Sequence, residues 1–209
     1  GTFATRERLN ASANYSTNTA LPFSWEIGFG RSEEFASGDS YRYDLGMNWR
    51  PLPNINFAAN VNYQDRDGWL LHQGGQNFTA FETSQWESNF RFEYYLTAKQ
   101  QLSAGLQWVG IKALGDRYFR LPANAPTRNR DLIEVDQHSA TPGDFSISQM
   151  NFQLRYRWEI APLSDLFIVY NRNANRRAGL FDFSDQFDDS WQNPLVSQLV
   201  IKLRYRLGT

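Results

Sequence analysis

Apolar and polar residues alternate along most of this chain with a period of two, the mark of β-strands that set one face against an apolar medium. The last segment is the clearest: Leu199, Ile201, Leu203, Tyr205 and Leu207 alternate with Val200, Lys202, Arg204 and Arg206. Met150, Phe152, Leu154, Tyr156 and Trp158 likewise oppose Asn151, Gln153, Arg155, Arg157 and Glu159. Upstream, Phe23, Trp25, Ile27 and Phe29 form one apolar set, and Tyr41, Tyr43, Leu45, Met47 and Trp49 the next. Three more follow: Ile55 to Tyr63, Trp86 to Leu96 and Leu102 to Trp108. Two weaker segments, Leu9 to Tyr15 and Leu166 to Arg172, bring the total to about nine strands. Several are about ten residues long, enough to cross a bilayer at a tilt. No segment carries a convincing helical period. Short turns at 16–22, 50–54, 97–100 and 161–165, all but 97–100 carrying Pro, Asn or Ser, alternate with long polar connections at 64–83, 112–144 and 173–196, and a shorter one at 33–39.

Composition sharpens this picture. The 209 residues carry 21 basic and 22 acidic side chains, a net charge of −1, which gives no electrostatic reason to expect a nucleic-acid partner. There is no cysteine, so disulfides, thiolate metal sites and thiol nucleophiles are excluded. A hydrophobic fraction of 41% and a mean hydropathy of −0.58 look like an ordinary soluble protein, yet 16 Phe, 10 Tyr and 7 Trp make 16% of the chain aromatic. The longest apolar run, Leu166 to Tyr170, falls far short of the roughly 20 residues of a membrane helix. A membrane barrel fits, because its lipid and lumen faces alternate and average to a polar composition.

The expected fold is therefore all-β: an antiparallel up-and-down transmembrane β-barrel, or the C-terminal portion of one, as a single domain over residues 1–209. Short turns would lie on the periplasmic side and long loops outside. Trp25, Leu45, Phe57, Phe92, Leu106, Leu154, Ile201 and Leu203 would face lipid. Glu26, Arg42, Asp44, Arg91, Glu93, Arg155, Arg157, Glu159, Lys202, Arg204 and Arg206 would line the pore, where opposite charges on neighbouring strands can pair. Tyr15, Trp25, Tyr41, Trp49, Tyr63, Trp86, Trp108, Tyr156 and Trp158 stand near the ends of the apolar faces, where an interfacial aromatic girdle belongs. The lumen charges would form either a structural ladder or a permeation surface with an anion preference near the C-terminal strands. A soluble β-sandwich is the alternative with the same alternation.

Two strings carry a family resemblance: Gln107-Trp108-Val109-Gly110-Ile111-Lys112-Ala113, and the run from Leu154 to Arg172 that contains Arg155-Tyr156-Arg157-Trp158-Glu159-Ile160-Ala161-Pro162-Leu163-Ser164-Asp165. Together they resemble the C-terminal region of bacterial proteins that join an N-terminal family-nine-type carbohydrate-binding domain to a domain of unknown function. The resemblance implies an outer-membrane barrel, with membrane lipid and the barrel-assembly machinery as partners. It supplies no catalytic residues, and with the carbohydrate-binding domain absent from these residues, sugar binding does not carry over. The Tyr205-to-Leu207 ending resembles a barrel-assembly signal but has Leu where an aromatic is usual. Since single-chain bacterial barrels have even strand numbers, about nine strands imply earlier strands or another chain to complete the wall, or else a complete barrel of 8 or 10.

Little points to chemistry. The two histidines, His72 and His138, fall in expected loops, His138 beside Asp136, Glu134 and Asp131, from which a hydrolase could draw a general base. The stretch from Asp182 to Asp189 holds four carboxylates but lacks the spacing of a calcium loop; Phe181, Phe183 and Phe187 beside it suggest packing against another loop or a partner. No cofactor, metal or enzymatic activity is expected. The functions left open are a pore, translocation conduit or surface scaffold, with a carbohydrate-binding sandwich and a barrel-embedded hydrolase as alternatives.

Overall fold

The computed structural model describes residues 8–122, 132–136, 143–177, 179 and 181–207. One antiparallel sheet holds every strand: β1 (Asn10–Ser16), β2 (Phe23–Glu33), β3 (Asp39–Leu52), β4 (Ile55–Gly74), β5 (Asn77–Thr97), β6 (Gln100–Arg120), β7 (Ile133–Val135), β8 (Phe145–Ala161), β9 (Ser164–Arg176) and β10 (Val196–Arg204). The order is β1-β2-β3-β4-β5-β6-β8-β9-β10, an up-and-down path, with the short β7 pairing on β6 beside it. Among the described residues a single helix, α1 (Phe183–Gln192), interrupts the connection from β9 to β10.

Three of the short turns fall where Pro22, Pro51 with Pro53 and Asn54, and Pro162 stop the ladder, since proline has no N–H to donate and is tolerated only at strand margins; the fourth turns at Ala98 and Lys99. The long connections differ from expectation. Residues 64–83 are almost wholly strand: β4 and β5 continue to a tip at Gly74 and Gly75, whose positive φ angles of 106° and 58° suit glycine. β6 likewise runs on to Arg120 inside the expected 112–144 connection. Alternation persists beyond the aromatic clusters, but register shifts between Asp67 and Trp69 and between Ala80 and Phe81 obscure its phase. This extension has its own small core, with Ala80, Phe81, Thr79 and Ala113 fully buried and Phe145 packed edge-on against Phe81.

The sheet is not closed. β1 and β10 are its edges, both exposed along their whole length, and no ladder joins them among the described residues. A sandwich is not formed either, because no second sheet covers the first.

Hairpin geometry shows how the sheet is sheared. A row of registered residues crosses it through Trp25, Met47, Ala59, Phe90, Leu106, Phe152 and Arg172. From this row to the centre of each short turn is four residues on β2 (Trp25 to Leu21), six on β4 (Ala59 to Pro53), eight on β5 (Phe90 to Ala98) and ten on β8 (Phe152 to Pro162). The turns therefore step by one residue per strand. With about 3.4 Å of rise per residue and about 4.8 Å between strands, that stagger tilts the strands by roughly 35° when the turns lie at one level. Strands in closed barrels tilt by a similar angle.

Candidate functional site

Register places the two expected residue sets on opposite faces. Trp25, Leu45, Phe57, Phe92, Leu106, Leu154, Ile201 and Leu203 all share one face, through pairs such as Phe57 with Phe92 and Ile201 with Ile168. Trp25, Leu45, Leu154, Ile201 and Leu203 are exposed there, while Phe57, Phe92 and Leu106 are half-buried by their neighbours. Aromatic rings mark two levels on this face. Trp49, Phe57, Tyr94 and Trp158 lie four residues from their turn centres, and Tyr43, Tyr63, Trp108 and Phe152 lie ten. In the upper group the Tyr43 and Tyr63 rings are 6.3 Å apart and the Tyr63 and Trp86 rings 4.9 Å. Six residues at about 3.4 Å separate the levels by roughly 20 Å along the strand. Strand positions between them on this face carry no charge. Charges appear only at or beyond the upper level, among them Arg31, Glu33, Asp39, Asp65, Asp67, Glu82, Lys112, Arg172 and Arg176.

At that upper level α1 covers part of the apolar face, a helix the period-two pattern did not predict. Asp182 caps it, accepting from the Ser184 and Asp185 backbone N–H groups. Phe183 and Phe187 meet the Trp108 ring edge-on, and Trp191 meets Phe152. Trp108, expected in the girdle, is instead 9% exposed beneath the helix, its indole N–H donating to Ser148 Oγ at 2.9 Å. Arg172 donates to the Trp191 carbonyl, and Arg176 pairs with Asp189 at 2.8 Å. Gly110 leaves room for this contact, since a Cβ there would lie 2.6 Å from the Trp108 ring. The spacing Phe183, Phe187, Trp191 is a helical signal hidden by the acidic residues between. Those acids do not converge: Asp182 caps, Asp189 pairs with Arg176, and Asp185 and Asp188 point outward. No cluster of three metal-ligating side chains occurs among the described residues.

The other face carries the expected lumen set: Glu26, Arg42, Asp44, Arg91, Glu93, Arg155, Arg157, Glu159, Lys202 and Arg204. Arg206 lies past the end of β10, its backbone N–H on Ser164 Oγ. The ion pairing differs from expectation. Glu26, Glu93 and Glu159 make no ion pair with the C-terminal cations among the described residues. Asp165 does so instead: its carboxylate is 2% exposed and accepts from Arg157 at 3.0 Å and from Arg204. Asp165 falls in the expected 161–165 turn, but in the structure it belongs to β9, where its parity with Phe167 and Val169 places it on this face. Arg42 pairs along its own strand with Asp44 at 3.0 Å, and Asn62 Nδ2 donates to the same carboxylate at 2.7 Å. The strand cations on this face are Arg42, Arg50, Arg66, Arg91, Arg155, Arg157, Lys202 and Arg204, against the strand carboxylates Glu26, Asp44, Glu87, Glu93, Glu159 and Asp165. Of the two cations in excess, Arg66 is held by Glu34 just past β2, and Arg50 donates to the Thr19 and Leu21 carbonyls of the first short turn.

Between these charges the face is rich in amides. Clefts of about 370 and 420 Å³ indent it; the first is lined by Asn60, Asn62, Asn89 and Gln107 together with Glu26, Arg42, Asp44 and Glu87 on its β2–β3 side and upper edge, and the second by Gln107, Gln149, Asn151, Asn173 and Asn175 with no charged residue. A larger cleft of about 570 Å³ lies on the opposite face, beyond the upper aromatic level, near Asp39, Asp65, Asp67, Glu82 and Lys112. Of the hydrolase candidates, His72 contacts the Gly75 carbonyl at 3.0 Å and packs on Phe78, near the β4–β5 tip. Asp131 and His138 lie outside the described residues.

A family profile matches residues 1–208 and is described as domain of unknown function (DUF5916). The chain belongs to this family. The match covers nearly the whole sheet and does not extend to a carbohydrate-binding domain. No curated protein and no solved structure matches the chain.

Proposed function

We propose that this DUF5916 domain is the greater part of the wall of a bacterial outer-membrane β-barrel, with the apolar face in lipid and the amide and charged face around a conduit. The observation that carries this reading is the uncharged, largely exposed apolar band on nine strands whose turns step one residue per strand. In water so many exposed large apolar side chains on one face would be an aggregation hazard. In lipid they are the required surface, and a band bounded by aromatic girdles is the pattern of such barrels. The outward acids of α1 fit a position above the bilayer, consistent with its contacts at the upper aromatic level.

The open edges fit the same reading. β1 and β10 both run toward the short turns, so joining them directly would make a parallel pair. An odd number of further strands, from the same polypeptide or another chain, would close the wall antiparallel and give an even total, as bacterial barrels have. Unpaired backbone groups cannot remain in hydrocarbon, so closure is required in the membrane.

Because the chain has no cysteine, single-cysteine labelling tests the assignment directly. In the intact protein in outer-membrane vesicles, Leu45→Cys should react with a lipid-soluble maleimide and resist a charged, water-soluble one. Asn60→Cys should show the reverse. Equal reaction of both with the charged reagent would overturn the proposal.

A further inference from the structure

The charge balance and the amides of the inner face together point to a solute class. Measured from the turn centres, Asn62, Asn89, Gln107, Gln153 and Asn171 all lie nine residues up their strands, and Gln198 pairs with Asn171. With one residue of stagger per strand, these positions on six successive strands fall within a few ångströms of one level. We infer that this level is an amide belt that selects a neutral, polyhydroxylated solute of the saccharide class. The inference rests on the conduit reading above.

Three observations converge on it. The belt is uncharged from β4 to β10, and the one acid at the same level, Asp44 on β3, is engaged by Arg42 and Asn62. Each amide offers both donors and an acceptor, the complement of a hydroxyl that does both. Only part of this capacity is used internally: Gln153 Nε2 donates to Asn171 Oδ1 at 2.8 Å, leaving other donors and acceptors facing the clefts. The two clefts meet at Gln107, and each has the size of a small-ligand site. An ion gains little from such a belt, because the carboxylates of this face, with Glu34 counted, come within one of the cations in number and Asp165 already holds two of those cations. A site built of hydrogen-bonding groups instead penalises any solute that leaves them unpaired.

The test is planar-bilayer recording of the intact protein with maltohexaose as the neutral probe. The expected result is a conductance with a reversal potential near zero in a salt gradient, blocked in steps by the saccharide. Gln107→Leu with Gln153→Leu should keep the conductance and weaken the block at least tenfold. The conservative pair Gln107→Asn and Gln153→Asn should retain most of the block, which separates lost hydrogen bonds from lost folding. Conductance with strong ion selectivity, or a block unchanged in the leucine variant, would overturn the amide-belt inference while leaving the conduit standing. Absence of conductance from protein that passes the cysteine-labelling test would overturn the conduit and the belt together.

Discussion

Leu45 and Leu52 offer a controlled measurement of whether this sheet lives in lipid. Both are on β3 and on the apolar face, and they are 55% and 54% exposed, so replacing either loses similar packing. They differ in depth. Leu45 lies eight residues from the turn centre at Pro53, between the two aromatic levels, whereas Leu52 is next to the turn. Seven residues at about 3.4 Å, tilted by roughly 35°, separate them by about 20 Å along the membrane normal. An Arg on the lipid face costs about 2–4 kcal/mol at the midplane and about 0–1 kcal/mol near the interface. Leu45→Arg should therefore destabilise the protein about 2 kcal/mol more than Leu52→Arg, roughly a 30-fold difference in the folding equilibrium. Urea titration of the intact protein folding into phosphocholine vesicles measures both, with Leu45→Ala and Leu52→Ala correcting for lost contacts. On a water-facing sheet both arginines would fall within about 0.5 kcal/mol of wild type. Equal costs would refute the membrane assignment and the depth scale built on the turns.

Two further outcomes follow from the outer rim. Arg176 holds the Asp189 carboxyl below the ordinary carboxylate range, with Asn193 adding to this and burial opposing it, and the Ser184 hydroxyl and nearby N–H groups do the same for Asp182. Both folded values lie below the unfolded value of about 4, so their contribution to α1 docking is complete above that pH and lost as pH falls through the folded values. The protection of the amides of residues 183–192, with exchange rates corrected for the intrinsic pH dependence, should be high at neutral pH and fall below about pH 4 while β8 remains protected; protection unchanged over that range would contradict the assignment. Deeper in the extension, Glu34 is 3% exposed in its side chain and accepts from Arg66 at 2.7 Å. Arg66→Ala leaves that carboxylate buried and uncompensated, an expected loss of about 3 kcal/mol, whereas Arg31→Ala at the solvent-exposed Asp39 pair should leave stability nearly unchanged. Denaturant titration of both variants decides it, and similar small losses would mean that Glu34 is solvated.

The alternation of side chains was enough to assign nearly every long strand of the sheet, its two faces and the four short turns. A period of two depends only on backbone geometry, so each strand reports its own two faces without knowledge of its neighbours. The same local logic put Leu45 with Phe57 and Arg155 with Arg157 on their respective faces. What the pattern could not carry was whatever depends on contacts between distant segments. Register shifts near Gly68 and Phe81 reset the phase, so the long β4–β5 extension read as loop. The apolar stripe of α1 spans only Phe183, Phe187 and Trp191, and its docking is decided by Trp108 and Phe152, far away in the chain. Asp165 became the partner of two arginines only when β8, β9 and β10 were laid side by side. The amide belt has no sequence signature at all: its members are scattered between residues 62 and 198, and only the one-residue stagger of the strands brings them to one level.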